Sequence, residues 1–553
     1  MITKSEKDSH ELCPKPPPVF VRDATGLTKQ ISLFSAFAYN VNSVTIGYAV
    51  TAYSLILAFV PGANAMLSFL ISMLLSVPLL LVYAIFTASM PRSGGEYVFI
   101  SRTLHPWLGS LAAFTVWLIE IIYLGINSSW IGSVYMSAPL VLMGEVLNSQ
   151  ALITIGSAVA TPLWAFVIGT IVIVGVGVSM ISGTGTYLKL QNVIFVIGTI
   201  AAIVMIGVLL GATNGQFVTS FNQHLAPYMT NSTNPYNDIQ KIAAQQGFTI
   251  APFSWYATLV GSAIASGAIA YSYFSTYAGG EMKRASNVGR QSFVMLGSMV
   301  FNTGLAMIIA SLIVAVAGSN FAGATFYLGT VAPSSWPFPV SPFLNVFIAM
   351  LTDNVVLNAI MAVGWMSWGI ATTVIIFLMV SRMLFAWSFD RLIPSFFADV
   401  SERFHTPVKA IVTIIVLGEI STLIFLQYAA AYGALIALGN TVSWIATAFL
   451  FVSIAAILFP YVAKSSYEAS PASKYKVGKI PLISLMGVIA ATYQIVQVYF
   501  FLTVPSLGAL TPGVLSFWGT ALLVAALLYP VIYLIRKRQG IDLRMVFAVV
   551  PPE

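Results

Sequence analysis

Apolar runs of about twenty residues recur along this chain, and they constrain its fold more than any other feature. They lie at 31–60, 66–90, 107–135, 162–182, 191–213, 255–279, 292–318, 355–388, 409–429, 434–462, 481–503 and 514–535. A helix needs about 20 apolar residues to cross a bilayer. Only helices or closed barrels satisfy their backbone groups inside hydrocarbon. The pattern therefore predicts an all-α polytopic membrane protein with 12 transmembrane helices. Charge agrees, because only 7% of the 553 residues are charged, against about 25% in soluble domains.

The basic residues predict an orientation. With the N-terminus inside, every Lys and Arg of the 24 falls in an inner segment except Lys241. Cytoplasmic loops carry this excess in membrane proteins, so both termini are expected to be cytoplasmic. The net charge of +7 then marks the inner face and calls for no nucleic acid. Residues 1–30 read as a polar, proline-containing cytoplasmic tail without a cleavable signal, and 536–553 as a second one. Cys13 is the single cysteine, so no intrachain disulfide can form. The segment 214–254 is expected to be extracellular and carries the glycosylation sequon Asn231-Ser232-Thr233. Segments 136–160 and 319–354 read as outer connections or surface-lying stretches.

Two runs are interrupted by residues that weaken a helix. The first holds Asn40, Asn42, Ser43, Thr45 and Gly47 at its middle. Asn, Thr and Gly are poor helix formers. Inside a membrane an opened turn survives only where its freed N–H and C=O groups meet protein or a water-filled cavity. The alternative is a continuous helix whose Asn and Ser bond to neighbours. The second interruption, Gly267 to Glu281, lies in the sixth run. Five crossings separate the two, so the halves of the chain that carry them have opposite orientation. Paired breaks in inverted halves point to a transporter site.

Three loop motifs carry a resemblance. Pro91-Arg92-Ser93-Gly94-Gly95-Glu96-Tyr97 follows the second run, Gly280-Glu281-Met282-Lys283-Arg284 the sixth, and Ser381-Arg382-Met383-Leu384-Phe385-Ala386 through Asp390-Arg391-Leu392-Ile393-Pro394 the eighth, with Thr406-Pro407 beyond. Together they resemble the amino acid–polyamine–organocation permease family. That resemblance implies a LeuT-like fold of 5+5 inverted repeats with discontinuous helices 1 and 6. Helices 1–5 would span 31–213, helices 6–10 would span 255–462, and helices 11–12 would span 463–535. It implies that a substrate's carboxylate meets backbone N–H groups of the first break, Asn42, Ser43, Val44, Thr45, Ile46 and Gly47, and that its amine meets carbonyls of both breaks. From the second break it implies Tyr271, Ser272, Tyr273 and Phe274, one aromatic lying over the substrate. The family's glycine-rich version of the first break is not present. The hydroxyls of Thr372 and Thr373 stand where related folds bind sodium, although such hydroxyls also bond back to their own helix. The fifth run lacks the Lys found there in some proton-coupled relatives.

The residues themselves suggest more. Glu120 lies deep in the third run, and Trp117, Tyr123 and Asn127 share its helical face. An intramembrane acid is a functional candidate by default, here for exchanging a proton or receiving a cationic group. A protonated structural Glu is the alternative. The rival acid Glu419 lies on a mostly aliphatic face. Arg382 and Asp390 are candidates for an inner gate formed by ion pairs. The reading is a secondary transporter of amino acids or related amines in the cell membrane, coupled to H+ or Na+ or working by exchange. The alternative is a non-transporting receptor or accessory subunit, which the shortness of both tails disfavours. No cofactor, metal centre or enzymatic motif is expected.

Overall fold

The structure is a computed structural model that describes residues 27–505, 507 and 510–547. The expected N-terminal tail through residue 26, Cys13 included, and residues 548–553 of the C-terminal tail lie outside the described residues. Among the described residues, eleven helices are long and apolar enough to cross a membrane. The sixth run, expected as a span over 255–279, is absent from the eleven. It is helical only from Trp255 to Ser266 and continues as turns and two short 3₁₀ segments, Phe274–Tyr277 and Gly279–Glu281. Gly267, Gly279 and Gly280, with aromatics that pack sideways, replace a helical ladder there.

The first span is two helices, Leu33–Val44 and Ile46–Phe59, joined at Thr45. Thr45 has φ 56°, a region in which a β-branched residue is uncommon and strained. The eighth span, Val355–Phe389, is the most buried. It packs against Thr184–Leu210, Pro106–Trp130 and Leu33–Val44, so it forms the central post.

Two expected boundaries change. Helix Val408–Gly439 runs through the connection expected between the ninth and tenth spans and bends at Tyr428. The sequence between the two runs is rich in Ala, the best helix former, and the bend does the work of a loop. The third span likewise continues past 135. A wider π-type stretch, Ile131–Met136, joins it to helix Ser137–Val146, and helix Gln150–Val159 follows. The remaining connections are ordered too. Segment 214–254 forms Asn214–Leu225 and Pro235–Gln245, whose buried residues Phe217, Phe221, Ile239 and Ala243 recur at helical spacing. Segment 319–354 forms Ser319–Val331 and Leu344–Ala349.

Glycines let the spans approach closely. A Cβ on Gly169 would lie 2.6 Å from the Ser128 carbonyl oxygen, and one on Gly125 would overlap Ser421. Both partners are helix backbone, which cannot rotate away. Gly169→Ala is therefore expected to cost about 1–3 kcal/mol through overpacking. Gly175→Ala, with open space around the added carbon, should be neutral. Thermal unfolding of the purified variants in detergent checks the contrast.

Candidate functional site

Each break supplies partners for the other. The Ser275 N–H donates to Asn40 Oδ1 at 2.7 Å. The Ser43 hydroxyl lies 2.7 Å from the Asn40 carbonyl and 2.9 Å from the Tyr271 carbonyl, either of which it can donate to. Thr45 repairs its own break: its N–H donates to the Val41 carbonyl at 3.1 Å and its hydroxyl oxygen accepts from the Tyr48 N–H at 3.1 Å. A break still leaves terminal carbonyls of the first half and N–H groups of the second without helical partners.

Beside the breaks is a cavity of about 100 Å³. The first span contributes Ser43, Val44 and Tyr48, and the sixth contributes Gly267, Tyr271 and Phe274. Glu120, Tyr123, Ile126, Asn127, Trp130 and Tyr135 come from the third, Thr372, Ile375 and Ile376 from the eighth, Asn440 and Trp444 from the tenth. Seven of these are aromatic, Glu120 is the one ionisable carboxyl, and the lining holds no Lys, Arg or His. Trp444 stacks on Phe274 with centroids 5.4 Å apart and meets Tyr271 edge-on at 5.1 Å. Asn440 donates to the Tyr123 hydroxyl oxygen at 2.9 Å.

The structure brings together only part of the expected set. Ser43, Val44, Tyr271, Phe274, Glu120, Asn127 and Thr372 face the cavity. Asn42 turns away and donates to the Gln191 carbonyl at 3.0 Å. Thr45, Ile46 and Ser272 are buried but are not part of the lining. Gly47 serves packing: a Cβ there would lie 2.5 Å from the Trp368 ring. Tyr273 stacks on Tyr83 at 3.8 Å, behind the wall formed by Phe274. Thr373 accepts a 2.9 Å bond from the Asn127 amide, which also donates to the Gly369 carbonyl at 2.9 Å. Thr372 leans back on the Trp368 carbonyl at 3.4 Å. Trp117 lies off the lining and packs toward Trp387 at 6.2 Å. Glu419 is half-buried and accepts from the Thr170 hydroxyl at 2.8 Å. Among the described residues Glu120 makes no ion pair, and it lines the cavity together with Trp444.

Sequence reasoning missed Tyr48, Trp130, Tyr135, Asn440 and Trp444. Tyr135 lies in the π-type stretch of the third span, and Asn440 and Trp444 lie in a second one, Asn440–Phe449. Such stretches turn side chains off the ordinary helical face and recur at functional sites. The 3.6-residue periodicity used on the sequence cannot register them.

One end of the bundle, the basic end, carries the buried ions. Among the described residues, Arg382 and Asp390 are there in two clusters. Arg382 forms a fork with Glu281, Nε to Oε1 at 2.5 Å and Nη2 to Oε2 at 2.8 Å, with both side chains buried. Asp390 takes Arg102 at 2.7 Å and the Tyr97 hydroxyl at 2.9 Å, with Arg92 at 4.0 Å. Glu281, Arg102 and Tyr97 sit in or beside the quoted loop motifs, but residues from different loops gave no spacing to connect them.

The glycine pair of the first motif makes this assembly fit. Gly94 and Gly95 have φ 115° and 57°, which glycine adopts without a steric cost. A Cβ on Gly95 would lie 2.6 Å from the Tyr277 ring. The Gly94 N–H donates to the Tyr277 carbonyl at 3.0 Å. In the same way the Ile31 N–H donates to the Glu281 carbonyl and the Lys283 N–H to the Ile31 carbonyl, both at 3.0 Å. The entry to the first span is thus tied to the exit of the sixth.

The model of the family described as "Amino acid permease" matches residues 31–527 of the chain. No curated protein was found to match it. The matched range holds both breaks, the cavity lining and the Arg382–Glu281 and Asp390 clusters.

Removing one partner of a buried ion pair leaves the other charge uncompensated, at about 3–5 kcal/mol. Arg382→Gln and Glu281→Gln should each destabilise the protein strongly, and the double variant by less than their sum. Thermal unfolding of the four proteins as a double-mutant cycle measures this coupling. Arg382→Gln with Asp390→Asn should be near-additive, since among the described residues the two have different partners.

Proposed function

Because this chain belongs to the amino acid permease family, we propose that it is a secondary transporter that binds amino acids or related amines in the cavity between the two broken helices. The observation that carries this reading is the cavity lining: one carboxyl, Glu120, among seven aromatic side chains, with no basic residue. An ammonium group is attracted to a carboxylate and to aromatic faces. The ends of the broken helices offer partners for a substrate carboxylate and for a second ammonium contact. The walls thus suit a molecule with an amine and oppose a second negative charge.

On this reading the basic end faces the cytoplasm of a cell-membrane protein with both termini inside. Residues 31–213 and 255–462 act as inverted repeats, with 463–535 beside them. Counted with the broken sixth segment, the chain crosses twelve times. The Arg382–Glu281 and Asp390 clusters hold the cytoplasmic side shut in the conformation described, and opening requires them to separate. Glu120 then either pairs with the substrate amine or carries a coupling proton. Thr372 supports a sodium-coupled version only in that it lines the same cavity as Ser43.

The test is ligand-dependent thermal stabilisation of the purified protein across neutral, cationic and acidic amino acids and simple amines, with and without sodium. Amine-bearing ligands should stabilise the parent, and dicarboxylates should not. Glu120→Gln should weaken amine ligands about tenfold or more and flatten the pH dependence of uptake in proteoliposomes. Phe274→Ala should reduce affinity more than Tyr273→Ala. Unchanged affinities and pH profile in Glu120→Gln would make that carboxyl structural.

A further inference from the structure

Glu96 belongs to the loop motif between the second and third spans, and neither the cavity nor the two ion clusters uses it. It is fully buried. Its Oε1 accepts from the Tyr277 hydroxyl at 2.7 Å. Its Oε2 has no hydrogen-bond partner among the described residues. A buried carboxylate oxygen without a donor is costly, whereas a protonated carboxyl is far less so.

No cation compensates it among the described residues. On its own helix, Glu96–Thr103, Arg102 is engaged by Asp390, and Arg92 lies toward Asp390 as well. Arg382 of the eighth span is held by Glu281 of the sixth segment. The second span presents Tyr83, and helix Leu450–Val462 presents no charged residue. Glu120 of the third span adds only a like charge. Tyr277 is therefore the one polar side chain that supports the carboxylate form. Phe99 of the same helix stacks on Phe86 of the second span at 5.0 Å, and Tyr83 of that span stacks on Tyr273.

We propose that Glu96 is a proton-binding site of the gate at the basic end, holding a proton while that end is closed and releasing it to water when opening hydrates the carboxyl. This rests on the transporter reading only for the opening itself. The step breaks the Glu96 O–H bond and forms a hydronium ion, with no other reactant. Burial raises the Glu96 carboxyl from 4.5 to about 7 in the closed conformation. Once hydrated it returns to the ordinary carboxylate range. The closed state therefore binds the proton more tightly. Closure is favoured in acid and loses ground as pH rises from about 4.5 through about 7, above which both states are ionised. The two clusters beside it are already paired, so this one carboxyl links cytoplasmic pH to their separation.

The test is an infrared pH titration of the full-length protein in lipid nanodiscs, without substrate. The parent should show a buried carboxylic C=O band that disappears with a midpoint near pH 7. Glu96→Gln should lack that component, and Glu120→Gln should keep it. Tyr277→Phe removes the donor to the ionised form, so it should move the midpoint up by about one unit or less; this variant carries the test if Glu96→Gln does not fold. A band unaffected by Glu96→Gln, a Glu96 carboxyl that stays protonated or ionised from pH 5 to 9, or an unmoved midpoint in Tyr277→Phe overturns the proposal. None of these outcomes depends on transport. Loss of ligand stabilisation would sink the amine reading and leave the titration intact, and a silent Glu96 would do the reverse.

Discussion

A backbone N–H or C=O inside hydrocarbon must find a partner, and the centre of this structure is arranged around that demand. Two spans stop being helical at their middles. Neither could do so alone, because each would strand polar groups at a cost of several kcal/mol apiece. Placed side by side they exchange partners: the Asn40 amide takes the Ser275 N–H, and the Ser43 hydroxyl sits against the Tyr271 carbonyl. Thr45 accepts a strained backbone at the same point and returns a hydroxyl cap. The breaks are thus stable as a pair, and the cavity is the space they leave beside them.

The same economy governs the charges. The side chains of Arg382, Glu281, Arg102 and Asp390 are buried at the basic end, where burial of a single charge would be prohibitive. Each is matched by geometry: the guanidinium fork of Arg382 meets both oxygens of Glu281, and Asp390 collects a guanidinium and a phenol. Such pairs add little net stability against a well-packed apolar core, but they are costly to leave half-made. On the proposed gate reading, that suits a closure that is either complete or released, with few intermediate states. Gly94 and Gly95 set the closeness of approach, since any side chain there would meet Ala386 or Tyr277.

Much of this was legible in the sequence, for identifiable reasons. Long apolar runs and the placement of Lys and Arg disclose a multi-pass bundle because the bilayer acts on each segment locally. Asn42, Ser43 and Thr45 disclose a break because they oppose a helix wherever they occur. Glu120 declares itself because a carboxyl among apolar residues needs a reason. What was not legible depends on contact between distant segments. Gly47 reads as part of a break, yet its lack of a side chain serves the Trp368 ring. Arg382 and Asp390 read as one gate, yet their partners come from other loops, Glu281 and Arg102. The sixth run reads as a span because its residues are apolar, and hydropathy does not distinguish a helix from turns that are buried in protein.

The wider turns in the third and tenth spans bear on how the cavity could change size. In an ordinary helix a side chain cannot leave its face without breaking the i to i−4 ladder. A π-type stretch already holds a residue in excess of the regular turn, and such a bulge can shift along the helix with little loss of hydrogen bonding. Tyr135 lies in one such stretch, and Asn440 and Trp444 lie in the other. Both stretches contribute to the cavity lining, and Trp444 packs directly on Phe274 and Tyr271 of the second break. A space of about 100 Å³ admits the head of an amino acid more readily than a long side chain. Movement of these two stretches would enlarge it while the Asn40 and Ser43 contacts between the breaks stay in place. On the proposed reading, recognition of an amine would then rest on fixed elements, and tolerance of different side chains on adjustable ones.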